Sequence, residues 1–273
     1  RMREAGGSRD GPIPAANRYG TPASQTRSQT RSIEEVHDLE PMIRNISSFG
    51  TPLTSSARLV WLDDNPPTCT MTYSEIKPGK TSIHHIHPWE HEVYIISGSG
   101  TLVCDGKEYP VRDGDALYIP PNVDHYTLNN GGREDIHRIE VNHLIAAQSG
   151  GAQNEGGTGT GQPPVIRNYR DLNKETGHEI LGSRDGAPNY LMLYNGAMAP
   201  GAVSHPDTGG HNHPWEHTVF VLDGQATLVC GGKEYTVSQG DAILVPPNVH
   251  HQWRNNSDAP MNRVTFNPLS SEG

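Results

Sequence analysis

The sequence predicts an all-β protein built from two similar domains in tandem, and three observations support this prediction. First, the 273 residues include 30 glycines and 22 prolines, which mark turns, whereas only 33% of the residues are hydrophobic. Second, the apolar runs are short, such as Val93 to Ile96 and Val219 to Leu222, and none follows a helical period. Third, the chain repeats itself.

The repeat is the duplication of one unit at a spacing of 126 residues. The segment TLVCDGKEY at Thr101 to Tyr109 returns as TLVCGGKEY at Thr227 to Tyr235, and HPWEH occurs at the same spacing. Each unit has the size of an ordinary domain. We therefore expect a domain at 41–147, a Gly-rich linker at 148–163 and a second domain at 164–273, preceded by a flexible N-terminal arm at 1–40.

Strands and turns alternate within the first unit. The predicted strands cover 92–97, 101–104, 108–111, 116–119 and 125–128. Between the second and third of them, Asp105-Gly106 is a strong signal for a two-residue hairpin. Pro120-Pro121-Asn122 separates the last two. Short strands at regular spacing indicate a sandwich or a barrel.

Composition excludes several other classes of protein. The net charge of −10 argues against a nucleic-acid-binding surface, and no apolar run approaches the ~18 residues of a membrane span. The three cysteines, Cys69, Cys104 and Cys230, form neither a disulfide framework nor a CxxC pair. We expect a cytoplasmic protein with free thiols that acts on a small molecule, with no nucleic-acid or membrane partner, and that could form a homo-oligomer.

The 15 histidines are the unusual feature of the composition. His85 and His87 are two residues apart and so face the same side of a strand, while His91 and His125 each open a later strand. In a closed barrel such strand ends can meet at one point. The set recurs, 126 residues later, as His211, His213, His217 and His251. Because imidazole is a common ligand of divalent metals, we expect one metal site in each unit.

These histidines lie in motifs that resemble those of the cupin superfamily. The first family motif is Gly, five residues, His-x-His, three or four residues, Glu, six residues, Gly; the second is Gly, five residues, Pro-x-Gly, two residues, His, three residues, Asn. The chain matches the first from Gly79 to Gly98 and the second from Gly114 to Asn129, with the second repeated from Gly240 to Asn255. The resemblance covers both halves and implies a bicupin with two tandem jelly-roll β-barrels.

The chain departs from the family pattern at two places. Asn122 and Asn248 replace the glycine of the second motif, and asparagine tolerates a positive φ, so the turn can survive. His91 and His217 stand where the family has glutamate. The resulting segment, HxHPWEH, resembles a subgroup of small bacterial cupins whose metal, typically manganese, is held by four histidines.

That likeness implies Mn or Fe as the first choice of metal, with Ni, Cu, Zn and Co as alternatives, at two sites per chain. Four neutral imidazoles leave the ion its full +2 charge, so it should be a strong Lewis acid. Octahedral coordination by four ligands leaves two neighbouring positions for substrate, water or O₂. The Pro-Trp pairs, Pro88-Trp89 and Pro214-Trp215, are expected to pack the loop that sets the ligands.

The residues expected to line the cavities are Tyr73, Glu75, Tyr118, Tyr126 and Thr127 in the first unit, and Met192, Tyr194, Gln252 and Trp253 in the second. The candidate catalytic groups among them are Tyr73, Glu75, Tyr126, Tyr194 and Gln252. Tyr126 and Gln252 occupy equivalent positions of the repeat, so the two pockets differ in their walls. We therefore expect two metals and one principal active site. His205 lies in an inserted loop near the second set of histidines.

Three functions remain open at this stage. The first is a Mn- or Fe-dependent oxidoreductase, dioxygenase-like, acting on a small oxygenated or unsaturated substrate. The second is a non-redox sugar-acid isomerase, decarboxylase or lyase, in which the metal is a Lewis acid and a nearby Glu or Tyr moves protons. The third is a non-catalytic binding or storage cupin, against which the intact ligands in both halves argue.

Overall fold

The computed structural model describes residues 40–50, 53, 56–149, 162–174, 177–187 and 189–269, and these ranges are mostly β-structure. The strands are β1 (Met42–Asn45), β2 (Ala57–Val60), β3 (Cys69–Ile76), β4 (His91–Ser97), β5 (Ser99–Cys104), β6 (Lys107–Arg112), β7 (Asp115–Ile119), β8 (His125–Leu128), β9 (Ile136–His143), β10 (Val165–Asn168), β11 (Glu179–Leu181), β12 (Tyr190–Met198), β13 (His217–Asp223), β14 (Gln225–Cys230), β15 (Lys233–Ser238), β16 (Asp241–Val245), β17 (His251–Arg254) and β18 (Met261–Pro268).

Helical segments in the same ranges are few and short. They are the α-helix α1 (Leu144–Gln148) and the 3₁₀ turns Ile46–Phe49, Leu62–Asp64, Tyr169–Asp171 and Ser183–Asp185. No helix in the described part of the chain is long and apolar enough to cross a membrane. Nearly all of the predicted arm at 1–40 and most of the predicted linker at 148–163 lie outside the described residues.

Each repeat folds into two facing antiparallel sheets, which confirms the predicted all-β, tandem jelly-roll architecture. In barrel 1 a six-stranded sheet, in the order β10-β7-β4-β9-β3-β2, faces the sheet β6-β5-β8. In barrel 2 the corresponding sheets are β1-β16-β13-β18-β12-β11 and β15-β14-β17. At the predicted hairpin between β5 and β6, Asp105 and Gly106 both have a positive φ, 51° and 71°, as such a turn requires.

The first strand of each repeat joins the sheet of the other repeat. Strand β1 pairs with β16 of barrel 2, and β10 pairs with β7 of barrel 1. Equivalent side-chain hydrogen bonds close each crossing, since Asn45 donates to Asp241 and Asn168 donates to Asp115, both at 2.7 Å. The domain boundaries at 41–147 and 164–273 remain a prediction. The hydrogen bonding of the two six-stranded sheets does not follow these boundaries, because each sheet contains one strand of the other repeat.

The described residues form three apolar clusters. One lies inside each barrel, and the exchanged strands contribute to both of them, because Ile43 packs into barrel 2 and Ile166 into barrel 1. The third and largest lies between the two six-stranded sheets, where Tyr94 and Phe220 are nearly inaccessible to solvent. The three cysteines are free and buried, as expected. The two barrels therefore pack against each other through the third cluster and exchange one strand each.

Candidate metal centres

The structure brings the eight predicted histidine ligands together in two groups, one in each barrel. Within a group, one ring nitrogen from each histidine lies within 4.8 Å of the other three. The groups consist of His85, His87, His91 and His125 in barrel 1, and of His211, His213, His217 and His251 in barrel 2. These two groups could each bind a metal ion.

Backbone hydrogen bonds hold the two histidine-bearing segments of each barrel side by side. In barrel 1, His85 and His125 form an isolated antiparallel bridge, with N–O distances of 3.3 and 3.1 Å. In the turn before β8, Asn122 has a φ of 59° and donates its N–H to the carbonyl of His87 at 2.7 Å. Asn248 has a φ of 63° and contacts His213 in the same way. Asparagine thus preserves the family turn, as expected.

Hydrogen bonds to backbone carbonyls fix the tautomers of two of the four rings in barrel 1. His87 Nδ1 lies 2.6 Å from the carbonyl of Trp89, and His125 Nδ1 lies 2.7 Å from that of Val123. A carbonyl oxygen can only accept, so both Nδ1 atoms carry the proton and both Nε2 atoms present a lone pair. His87 Nε2 lies 2.5 Å from Nε2 of His91, and Nε2 of His125 has no hydrogen-bond partner in the part of the chain that the structure describes. Imidazole lone pairs that converge on one point are the arrangement that a metal ion requires of its ligands.

Barrel 2 has the same arrangement. The Nδ1 atoms of His213 and His251 donate to backbone carbonyls at 2.7 and 2.9 Å, and His217 Nδ1 donates to Oδ1 of Asn267 at 2.5 Å. The Nε2 atoms of His213 and His217 are 2.8 Å apart, and those of His211 and His251 are 2.9 Å apart. Oriented Nδ1–H groups of this kind are typical of the environment of metal-bound histidine.

Burial keeps these rings neutral at pH 7. It lowers the pKa of His87, His211 and His251 to about 4 and that of His125 to about 3. For His91 and His217 burial is again the largest cause, and the neighbouring imidazoles contribute in the same direction to a pKa well below the usual value. A neutral imidazole is the form that binds a metal.

The tryptophan of each HPWEH segment stacks on a ligand histidine. The ring centroids of Trp89 and His87 are 4.6 Å apart with an interplanar angle of 2°, and those of Trp215 and His213 are 4.3 Å apart at 5°. The same tryptophans accept the Nδ1–H of those histidines at their backbone carbonyls. They therefore orient the ligand rings, which agrees with the packing role expected for them.

The two centres differ in the groups behind the ligands. In barrel 1, Oε1 of Glu140 lies 3.4 Å from Nδ1 of His91, and its other carboxylate oxygen pairs with Arg138. Burial by itself would raise the pKa of Glu140, but His91 and Arg138 hold it below its usual value. In barrel 2 the neutral amide of Asn267 occupies the corresponding place beside His217. Thus an anion supports the first centre and a neutral acceptor supports the second.

The cavities next to the two centres also differ. That of barrel 2 measures about 520 Å³, and all four histidines of the group border it. That of barrel 1 measures about 390 Å³, is more polar, and touches only His85 among the four. His205 borders the larger cavity, with its ring centroid 3.9 Å from that of His211.

Of the five candidate catalytic residues, the structure brings only Glu75 to one of these cavities, that of barrel 1. Tyr73 lies in the core between the barrels, with its hydroxyl 2.5 Å from His137. Tyr126 packs against His84, and Tyr194 stacks on Tyr169. Gln252 donates to the carbonyl of Ser204 at 2.9 Å. These four residues lie outside the linings of the two cavities.

Strand parity explains the positions of Gln252 and Tyr126. His251 opens β17 and faces the cavity, so Trp253 faces it as well and Gln252 does not. By the same rule Thr127, rather than Tyr126, shares the face of His125. The polar residues of the last strands were missed altogether, although their alternation is visible in the sequence, as Arg138-x-Glu140-x-Asn142 and Arg263-x-Thr265-x-Asn267.

Comparison with known proteins agrees with this architecture. The family profile described as "Cupin domain" matches residues 72–140 and 196–265. Protein SchB from Streptomyces halstedii is 34% identical over 75 residues, which are 27% of this chain and 52% of SchB. The chain spans about half or less of the length of the curated relatives that it matches.

Two solved structures share the fold at low sequence identity. Salicylate 1,2-dioxygenase from Pseudaminobacter salicylatoxidans superposes with a TM-score of 0.62 and 14% identity, over 84% of this chain and 83% of the enzyme. AerE from Microcystis aeruginosa gives a TM-score of 0.56 and 16% identity, over 74% of this chain and 88% of AerE. Since the family profile matches once in each half, and each match coincides with one barrel and its histidine group, the protein belongs to the cupin family and is a bicupin.

Proposed function

We propose that the protein is a metal-dependent oxidoreductase, dioxygenase-like, that acts on a small oxygenated or unsaturated organic substrate in barrel 2. The proposed ligands are His85, His87, His91 and His125 in one centre and His211, His213, His217 and His251 in the other, with Mn or Fe as the preferred ion. A divalent ion held by such a group supplies the Lewis acidity and the redox chemistry.

The observation that carries this proposal is the access of one cavity to a complete ligand group. All four histidines of barrel 2 border a space of about 520 Å³, which has the size of an ordinary ligand pocket. In barrel 1, His85 is the one member of the group in the described lining of the cavity of about 390 Å³, so a substrate there would meet one edge of the centre. Barrel 2 is therefore assigned the chemistry, and barrel 1 a second metal with a restricted approach.

The walls of the barrel 2 cavity suit an organic substrate. Leu193, Val219 and Trp253 make part of its lining apolar, which favours a ligand with an apolar body and excludes water. No carboxylate belongs to the part of this lining that the structure describes. A proton that leaves the substrate would therefore pass to an imidazole, and His178 and His205 are the lining histidines outside the ligand group.

Oxygen consumption tests the proposal. We expect the full chain, loaded with Mn or Fe, to consume O₂ with at least one member of a panel of small phenols, enols and dicarbonyls. His217→Ala should reduce the rate at least about 100-fold, since it removes a ligand of the proposed site. His250→Ala is the matched control, because His250 precedes a ligand but is exposed and lies outside the group. Equal product formation in the strict absence of O₂ would contradict an oxygenase.

The polar cavity of barrel 1 supports a second candidate, the non-redox isomerase, decarboxylase or lyase. Glu75 and Glu140 both line that cavity beside His85, so a carboxylate is available there to move protons. This candidate predicts turnover that is indifferent to O₂ and that is lost in His91→Ala rather than in His217→Ala. The same panel of substrates, assayed with and without O₂, separates the two candidates.

A further inference from the structure

The last strand of barrel 2 brings to the cavity a guanidinium group that has no carboxylate partner among the described residues. Arg263 is only 8% exposed and lines the same cavity as the histidines. Its group lies over the ring of Trp253, 4.3 Å from the centroid, and Nη1 lies 3.9 Å from Sδ of Met198. Its Nε has no acceptor among the described residues. Burial lowers the pKa of Arg263 to about 9.

In barrel 1 the charge at the equivalent position is compensated by groups of the protein itself. Arg138 is the equivalent residue, because it lies opposite Ile95 as Arg263 lies opposite Val221; the spacing on this last strand is 125 rather than 126 residues. The Nε of Arg138 donates to the hydroxyl of Ser74 at 3.1 Å. Its Nη2 lies 3.3 Å from Oε2 of Glu140, so the charge is compensated within the protein. Barrel 2 has Thr265 at the position of Glu140. A buried charge without a partner is costly, and the missing anion can be supplied by a ligand.

The guanidinium group and the histidines lie on neighbouring parts of one cavity wall. Arg263, Thr265 and Asn267 alternate along β18 and all line the cavity, and Asn267 contacts the ligand histidine His217. On β17, Trp253 follows His251 by two residues, a distance of about 6.6 Å along a strand. The guanidinium group lies over Trp253. A molecule about the size of one ring could therefore contact both the guanidinium group and the histidines.

We propose that the barrel 2 cavity binds an organic carboxylate, and that Arg263 anchors its carboxylate group. Two parallel N–H···O hydrogen bonds are the usual geometry of such a pair. The apolar body of the ligand then lies against Leu193 and Val219, with its far end towards the histidine group. That this ligand is the substrate rests on the function proposed above, whereas the anion site itself is independent of turnover.

Benzoate is a suitable probe, with benzamide as its neutral counterpart. Titration calorimetry on the metal-free full chain at pH 7.5 should give one benzoate site per chain, and benzamide should bind at least about tenfold more weakly. Metal-free protein is used so that benzoate cannot be held by an ion. Arg263→Met should abolish benzoate binding, and the repeat-matched control Arg138→Met should leave the affinity within about twofold of the wild type.

A second variant keeps the test decisive if Arg263→Met folds poorly. Thr265→Glu retains the arginine but installs the carboxylate of barrel 1 beside it, so benzoate binding should be lost in this variant too. A ligand anchor also predicts that Arg263→Met melts at the wild-type temperature or above it, because an uncompensated charge is removed. A lower melting temperature together with unchanged benzoate affinity would overturn the proposal, as would benzoate binding retained in Thr265→Glu.

Failure of this proposal and failure of the proposed function can be told apart. If benzoate binding depends on Arg263 but no substrate supports O₂ consumption, the anion site stands and the oxidoreductase does not. If O₂ is consumed but benzoate binds equally well to wild type and to Arg263→Met, the oxidoreductase stands and the carboxylate assignment does not.

Discussion

Lowering the pH from 6.5 to 4.5 is expected to destabilise the metal-free protein by about 5 kcal/mol or more, a large part of the stability of a domain. The reason is the depressed pKa of the ligand histidines, about 4 for His87 and His251 and about 3 for His125. Below pH 6.5 the histidines of the unfolded chain bind protons, whereas the same histidines in the folded chain remain neutral. The contribution of these histidines to stability is therefore fully present above pH 6.5. It decreases as the pH falls, until the rings of the folded protein become protonated as well.

Urea unfolding in the presence of a chelator, followed by circular dichroism at four pH values from 7.5 to 4.5, measures this effect. His125→Asn should show a shallower loss. Glu92→Gln should show a steeper loss. Burial raises the pKa of Glu92, so this carboxyl group makes a growing contribution to the stability of the folded protein as the pH falls. A free energy of unfolding that is constant between pH 6.5 and pH 4.5 would contradict the neutral, buried histidine groups.

The second large effect concerns the exchanged strands. Ile43→Asp should cost about 2–4 kcal/mol and should loosen barrel 2, although residue 43 belongs to the first repeat, because its side chain packs into the core of barrel 2. Ile166→Asp should loosen barrel 1. Hydrogen exchange resolved by strand measures both effects, as loss of protection in β16 for the first variant and in β7 for the second.

Ile83→Asp is the matched control for this experiment. Ile83 is 73% exposed, so the same substitution there should leave protection unchanged in both strands. If Ile43→Asp loosened β7 and left β16 protected, each barrel would be closed by its own first strand, and the observed pairing would be contradicted.

The ligand groups could be predicted from the sequence because they depend on local rules. The spacing of His85 and His87, the duplication of the set and the turn residues of the second motif each constrain the backbone over only a few positions. The sheet that an edge strand joins depends instead on contacts that are distant in sequence. Strand β1 has the same local pattern whether it pairs within its own repeat or with β16, so the exchange could not be deduced from local sequence.

The cavity walls were predicted only in part, since Glu75 and Trp253 line them and the other polar candidates do not. Trp253 lines the barrel 2 cavity as expected, whereas Tyr126 and Gln252 each follow a ligand histidine by one residue and therefore lie on the opposite face of the strand. The contrast between Glu140 and Thr265 was visible in the repeat. The consequence of this contrast could be seen only in the packed structure. There Arg138 pairs with Glu140, and Arg263 has no such partner among the described residues.

Metal analysis of purified, reconstituted protein tests the central claim of two independent four-histidine centres most directly. We predict two ions per wild-type chain, one in His91→Ala, one in His217→Ala and none in the double variant. The controls His84→Ala and His250→Ala should keep two, since neither residue belongs to a group. Retention of two ions in both single variants, or no more than one ion in the wild type, would contradict the assignment.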